Sequence, residues 1–159
     1  NHITQSYYDT AVSLVDFSSL SCDSCHAHHA FEKYGFYFRS YICFSYCLTL
    51  RIQRIRCRHC GRTHAVLLSQ MVPYSSHALQ VHIDIAFEGV DAALETHPSL
   101  NYDTAISIKR KFNRSWRCFI RSLACGTDIL SFLCLHFLSR QFMQVRSSVS
   151  FILCQHSMT

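Results

Sequence analysis

Two cysteine pairs of the form Cys-X-X-Cys constrain the fold of this chain more than any other feature. The first pair is Cys22 and Cys25, and the second is Cys57 and Cys60. A tetrahedral metal site needs four soft or borderline donors that converge on one point, and the tight turn of each pair brings two sulfurs to one side. Gly61 suits the positive φ that such a turn often needs. The sequence therefore predicts a Zn²⁺ site with these four cysteines as ligands.

Other interpretations of the sulfur and imidazole groups stay open. The two pairs could instead be buried thiol turns or a redox dithiol, although the βαβ context of a thioredoxin-type motif is not apparent. The nearby histidines could each replace a cysteine as a ligand, but surface or neighbouring imidazoles are the simpler interpretation; they are His26, His28, His29, His59 and His64. The remaining cysteines are predicted to be buried or spare thiols: Cys43, Cys47, Cys118, Cys125, Cys134 and Cys154.

The segment between the pairs is typical of a β-hairpin. Residues 35–41 are rich in aromatic side chains, which favours a strand. Residues 48–55 begin with strict alternation of apolar and polar side chains, which is typical of a half-buried strand. Residues 65–68 form a third strand candidate. Two Cys-X-X-Cys turns joined by a hairpin make a zinc ribbon, and we expect one in residues 1–72.

The sequence from Pro73 onward predicts helices. Ser75 or Ser76 can cap a helix that runs to about residue 88, and a short helix over 90–96, a turn over 97–100 and a helix to about 112 follow. Further helices are predicted at 116–124 and 128–141. The expected fold class is α+β: a small N-terminal zinc-ribbon β-hairpin domain (1–72) followed by an all-α domain (73–159) with a helix-turn-helix-like unit at about 76–112.

The balance of charge allows a polyanionic partner. The 159 residues carry 15 Lys and Arg against 10 Asp and Glu, a formal net charge of +5. In a helix-turn-helix the last helix lies in the major groove of DNA. A plain helical bundle with a solvated charged face is the alternative. The predicted DNA contacts are Thr104, Ser107, Lys109, Arg110, Lys111, Arg114 and Arg117.

One stretch resembles a known family. Residues 54–68 read RIRCRHCGRTHAVLL, and a VPYS joint follows at 72–75. This pattern is similar to an uncharacterised bacterial family of short transposase-associated proteins with an N-terminal zinc ribbon and a helix-turn-helix. The resemblance covers about residues 22–112. It implies the same four cysteine ligands and binding to the DNA of a mobile element, with a transposase or a second copy of the chain as a possible partner, and it implies no catalysis.

Three functional hypotheses follow. The first is a zinc-dependent DNA-binding protein that is a regulatory or DNA-docking component of a transposition system. The second is a zinc-ribbon protein–protein adaptor that uses the aromatic hairpin residues Phe36, Tyr37, Phe38 and Tyr41. The third is a redox or nucleolytic enzyme. The sequence lacks a convincing set of catalytic residues, which argues against this hypothesis. With no signal peptide and no stretch long enough to span a bilayer, we expect a cytoplasmic protein without membrane contact.

Overall fold

The computed structural model of the protein describes residues 3–119 and 144–145, with side chains up to residue 113. A short 3-10 turn lies at Phe17–Ser19. The helices and strands, in chain order, are α1 (Gln5–Ser13), β1 (Phe31–Cys43), β2 (Tyr46–Cys57), β3 (Thr63–Ala65), β4 (Leu67–Leu68), α2 (Leu79–Phe87), α3 (Val90–Thr96), α4 (Tyr102–Phe119) and β5 (Gln144–Val145).

A three-stranded antiparallel sheet of order β1-β2-β3 occupies the middle of the described chain. β1 and β2 form a long hairpin whose register runs from Phe31 opposite Cys57 to Cys43 opposite Tyr46. The register shifts between residues 33 and 35, so Tyr34 is an extra residue in β1, as in a β-bulge. Because Phe31 pairs with Cys57, the open end of the hairpin lies beside Cys57.

The predicted alternation holds through the first half of β2. Leu50 and Ile52 are buried, whereas Thr49 and Arg51 are exposed. Gln53 was expected to point to solvent with them, but it is 6% exposed. Its amide donates to the carbonyl of Gly35 at 2.9 Å, which is how a polar group is buried without an unpaired donor.

The side chains of α1 complete the hydrogen bonding of β2 where β3 does not reach. The Gln5 amide accepts from the backbone N–H of Arg51 at 2.8 Å and donates to its carbonyl at 3.2 Å. The Tyr8 hydroxyl accepts from the N–H of Gln53 at 2.9 Å and donates to the carbonyl of Val66 at 2.7 Å. α1 thus acts in place of a fourth strand along this edge.

The helices α2, α3 and α4 pack against one another. The segment that leads into α2 is bonded to the sheet, since the backbone of Ile42 exchanges hydrogen bonds with Ser76 and Ala78 at 2.7 and 2.8 Å. At the hairpin tip, the Ser99 hydroxyl donates to the carbonyl of Phe44 at 2.8 Å. One cluster of buried side chains includes residues of α1, the sheet and the helices. The division into domains at residues 72 and 73 stays a prediction.

The expected fold class is wrong. The strands do not form an N-terminal hairpin domain, because β1, β2 and β3 occupy residues 31–65 in the middle of the chain. A helix precedes them, and the side chains of α1 bond to the backbone of β2. The part after residue 73 is not all-α either, because β5 pairs with β4 in parallel. The physical reason is long-range strand pairing, which local sequence patterns do not reveal.

The predicted helices after residue 73 are mostly found. α2 begins at Leu79, and its cap is Ala78 rather than a serine. α3 has the predicted bounds, and Asn101 caps the next helix by accepting from the N–H of Thr104 at 2.8 Å. That helix continues through residue 119, so residues 116–119 belong to α4 and the rest of the two later helices lies outside the described residues. No helix in the described ranges is long and apolar enough to cross a membrane.

Candidate metal centre

The fold brings the two Cys-X-X-Cys turns together at the open end of the hairpin. Cys57 is the last residue of β2 and pairs with Phe31 at the start of β1. The first turn lies just before β1, so it meets the second turn at the same place. The N–H of Arg58 donates to the carbonyl of Ala30 at 2.7 Å and ties the two segments together. The length of the hairpin therefore does not separate the cysteines.

The four sulfurs lie in a compact group. The sulfur atoms of Cys22, Cys25, Cys57 and Cys60 are all within 4.8 Å of one another. Two of the separations, Cys22 to Cys60 and Cys25 to Cys57, are 3.7 Å. A tetrahedron with metal–sulfur bonds of about 2.3 Å has edges of about 3.8 Å. The arrangement is therefore of the right size to hold a metal ion.

Matching backbone hydrogen bonds shape the two turns. The N–H of His26 donates to the carbonyl of Cys22 at 2.7 Å, and the N–H of Gly61 donates to the carbonyl of Cys57 at 2.8 Å. Each donor directly follows the second cysteine of its pair and has a positive φ, +58° for His26 and +72° for Gly61. The positive φ that was predicted for Gly61 therefore occurs in both turns. In the first turn a histidine, His26, adopts it.

The electrostatics of the cluster favour a cation. The backbone N–H of Cys60 points at the Cys57 sulfur and, together with the N–H of His59, lowers the pKa of Cys57 to about 7 against the effect of burial. The N–H of Ala27 favours a thiolate on Cys25, but burial and the three neighbouring sulfurs raise the pKa of Cys25 to about 12. Four thiolates this close repel one another, so full ionisation requires a bound positive ion.

Only one of the five nearby histidines touches the sulfur cluster. His64 is buried, its Nε2 lies 3.6 Å from the Cys22 sulfur, and its ring packs edge-on against Phe31. Burial lowers the pKa of His64, which favours a neutral imidazole that can donate to a thiolate. The interpretation of these histidines as neighbouring or surface groups is consistent with the structure, since the others are exposed: His26, His28, His29 and His59.

Among the described side chains, the remaining cysteines lie outside the sulfur cluster. Cys43 is buried in β1, and Cys47 is exposed at the start of β2. Burial raises the pKa of Cys43. Cys118 belongs to α4, and three other cysteines lie outside the described residues: Cys125, Cys134 and Cys154.

The predicted DNA contacts lie on α4. Ser107, Arg110 and Lys111 are exposed, and Thr104 and Lys109 are half-buried. Ala105 and Ile108 of the same helix are buried, so Ser107, Arg110 and Lys111 point away from the core, whereas Thr104 and Lys109 lie at its edges. Arg114 and Arg117 lie in the last turns of the helix, beyond the described side chains.

Two arrangements were not predicted from the sequence. In the first, the buried pair His97 and Asp84 are joined by a hydrogen bond of 2.6 Å. The sequence of α2 indicates only Gln80, four residues earlier, as a partner for that carboxylate, and Gln80 donates to its other oxygen at 2.6 Å. In the second, arginines of β2 stack on aromatic rings of β1, with Arg51 lying 4.6 Å from the centre of the Phe36 ring.

Comparisons with models of protein families, with curated proteins and with solved structures found no match. The resemblance to a transposase-associated family therefore stays a prediction.

Proposed function

We propose that this chain is a zinc protein whose four-cysteine centre is structural. The observation that carries the proposal is the convergence of four cysteine sulfurs within 4.8 Å of one another. Four thiolates fill the tetrahedral coordination of Zn²⁺ and leave no position for water or substrate, which is typical of structural sites. Sulfur-only tetrahedral sites bind zinc or iron, so the metal content distinguishes the two.

The bound ion would hold three parts of the chain together. Cys22 and Cys25 belong to the segment before β1, Cys57 ends β2, and Cys60 lies in the loop to β3. In such sites the binding free energy of the metal contributes directly to folding. Zinc would therefore fix the open end of the hairpin and the path of the chain into the sheet.

Metal analysis of two matched variants tests this centre. Cys57→Ser removes a buried sulfur of the cluster, whereas Cys47→Ser removes an exposed thiol of the same strand. We expect about one zinc per chain in the wild-type protein and in Cys47→Ser, and none in Cys57→Ser. A chelator added to the wild-type protein should reproduce the loss of structure seen in Cys57→Ser, by near-ultraviolet circular dichroism.

The proposal fails if the folded wild-type protein, purified without added zinc, contains no zinc. It also fails if Cys57→Ser retains the same zinc content as Cys47→Ser. Iron in place of zinc would keep the four-sulfur centre and overturn the identity of the metal.

A second candidate function is DNA binding through α4. It is supported by the mutual packing of α2, α3 and α4, by the exposure of Ser107, Arg110 and Lys111, and by the net charge of +5. Exposed cations on one helix face can neutralise phosphates and orient the helix in a groove. A role in a transposition system would follow from the family resemblance alone.

The combined variant Lys109→Ala, Arg110→Ala and Lys111→Ala tests this surface. Each phosphate contact contributes about 0.9 to the slope of log affinity against log salt for duplex DNA, so the variant should lose about two to three units of slope. Lys33→Ala, which removes an exposed cation of β1, is the control. Equal duplex binding by the triple variant and the wild-type protein would exclude this face of α4.

A further inference from the structure

The outer edge of β1 has unpaired backbone groups in the middle of the strand. β1 stands at one end of the sheet order β1-β2-β3, so only one of its two edges pairs with β2. The backbone of Ile42 exchanges hydrogen bonds with the segment 76–78, which shows that its N–H and carbonyl point away from β2. Alternate residues of an antiparallel strand present their backbone groups to the same edge. The backbone groups of Phe36, Phe38 and Ser40 therefore point outward as well.

This free stretch is bounded at both ends. Ile42 is already paired with 76–78, and at the other end the register with β2 shifts at Tyr34, where a bulge bends the strand. Between these limits, no backbone hydrogen bond reaches the three outward-pointing residues from elsewhere in the described part of the chain. Charged side chains commonly protect edge strands from pairing, but residues 35–40 contain only one, Arg39. The edge is therefore a template for another strand.

The two most exposed apolar side chains of β1 lie on the same stretch. Phe38 is 75% exposed and Phe36 is 53% exposed. The two residues are separated by one position in an uninterrupted register, so their rings lie on the same face of the hairpin. Large apolar side chains grouped on a surface are typical of an interaction site.

The protein adaptor hypothesis used four aromatic residues of this hairpin, and the structure divides them. Phe36 and Phe38 are exposed, whereas Tyr41 is 4% exposed. Tyr37 is half-buried on the opposite face of the strand. A protein contact at the hairpin therefore has to use the two phenylalanines and the backbone edge beside them.

We propose that two copies of this chain pair through the outer edges of their β1 strands, in antiparallel orientation. The product is one continuous sheet that contains the three strands of each copy. Phe38 lies opposite Phe38 of the second copy at a two-fold axis, and Phe36 of each copy lies opposite Ser40 of the other. The proposal depends neither on the identity of the metal nor on DNA binding by α4.

This register is the one that uses every free backbone group. Each of the three pairs of residues exchanges two hydrogen bonds, as in any antiparallel ladder. A two-fold axis at Tyr37 would place Ser40 opposite the bulge of the second copy. An axis at Arg39 would place Phe36 opposite Ile42, whose backbone is already bonded.

The side chains across this register favour a second copy over an unrelated strand. Phe38 gains an identical ring as its cross-strand neighbour, and Phe36 of the second copy lies within reach on the diagonal. Arg39 lies opposite Tyr37 of the second copy, so no like charges face each other. A two-fold interface of this kind gives the most exposed ring of the strand the same burial in both copies.

Sedimentation velocity of the purified full chain over a range of concentrations tests the proposal. A reductant prevents the exposed Cys47 from cross-linking two copies. The paired stretch is short, so we expect a dimer with a dissociation constant on the order of 10 µM. Phe38→Lys places two positive charges opposite each other and should weaken the dimer by more than about tenfold. Ser40→Pro removes an outward N–H from each copy and should also weaken it.

Phe87→Lys is the matched control, because Phe87 of α2 is also an exposed phenylalanine, at 53%. It should dimerise like the wild-type protein. Unchanged melting temperature and metal content in dilute solution would show that the variants fold. Amide hydrogen exchange then locates the contact: protection of the N–H groups of Phe36, Phe38 and Ser40 should rise with the concentration of the wild-type protein.

The proposal is overturned if the wild-type protein stays monomeric at concentrations well above that dissociation constant. It is also overturned if Phe38→Lys and Ser40→Pro dimerise as Phe87→Lys does, because the dimer would then use another surface. Protection of the same three amides in the dilute monomer would show that the chain covers its own edge, and would overturn it as well. Zinc content and duplex binding, measured on the same samples, report separately on the proposed functions.

Discussion

At the scale of single residues, the two cysteine turns need the same backbone conformation from different side chains. Gly61 has a φ of +72°, and a Cβ added there would have nothing within 4 Å. His26 has a φ of +58° in the equivalent position. A non-glycine residue in this conformation costs about 1–2 kcal/mol, so the first turn carries strain that the second does not.

We therefore expect Gly61→Ala to lower the free energy of unfolding by about 1 kcal/mol through strain alone. His26→Gly should raise it by a smaller amount, because glycine also gains freedom in the unfolded chain. Denaturant unfolding of the zinc-loaded protein measures both changes. Opposite signs for the two variants would agree with the geometry, and a stabilising Gly61→Ala would contradict it.

Buried histidines make stability depend on pH. Burial lowers the pKa of His82 to about 3, with His77 and Lys111 adding to the effect, and its Nε2 lies 2.9 Å from the Ser75 hydroxyl. The unfolded chain takes up this proton near pH 6.5, whereas the folded chain does so only near the lowered pKa. Stability from this group is therefore present above pH 6.5 and is lost as the pH falls toward 3.

The expected loss is about 1.4 kcal/mol per pH unit for this proton. His82→Gln keeps a polar side chain and removes the titration, so its stability should depend less steeply on pH between 6.5 and 4. Denaturant unfolding at several pH values, with zinc content checked at each, measures the slope. Identical slopes for variant and wild-type protein would show that His82 does not titrate as the structure indicates.

The four cysteines of the cluster could be singled out because the geometry of each Cys-X-X-Cys turn is local. The conformation of His26 could not, since residues other than glycine rarely take a positive φ and the enrichment of histidine there does not distinguish His26 from the other histidines nearby. The contact of His64 with Cys22 was also not specified, because β3 brings the imidazole to the sulfur from a separate strand.

At the scale of elements, α1 substitutes for a strand, and its tyrosines allow a direct test. The hydroxyl of Tyr8 bonds to the backbone of both Gln53 and Val66, whereas the buried hydroxyl of Tyr7 has no hydrogen-bond partner among the described residues. Loss of the Tyr8 hydroxyl would leave a buried donor and a buried acceptor of the sheet unpaired, which costs about 1–3 kcal/mol.

Tyr8→Phe should lower the free energy of unfolding by that amount, and Tyr7→Phe should leave it nearly unchanged. Denaturant unfolding of the two variants side by side measures the difference. Equal effects of the two substitutions would show that α1 does not bond to the edge of β2.

The elements themselves were partly predictable. Alternation in β2 and the aromatic run in β1 indicated the hairpin, and Asn101 indicated the start of α4. α1 was not predicted, although Thr4 caps it and Tyr8, Ala11 and Val12 are spaced as on one helix face. A short helix in a polar segment gives a weak local pattern, and its stability comes from the sheet it packs on.

At the scale of the whole molecule, the sequence divides at Pro73 in composition, but the described contacts cross that point. Ile42 bonds to Ser76 and Ala78, and β4 pairs with β5 from residues 144–145. These pairings join positions far apart in the chain, and neither periodicity nor capping signals encode them. Composition therefore indicated the central hairpin and the helices after residue 73, but it did not indicate α1, β5 or the pairings that join these parts.

The candidate metal centre lies at one end of this shared structure, where the hairpin opens. Zinc-edge X-ray absorption of the protein purified without added zinc tests it most directly. The structure predicts a single shell of four sulfur atoms at about 2.3 Å from the metal. A shell containing nitrogen or oxygen ligands, or protein that is folded without metal, would contradict the four-cysteine zinc centre.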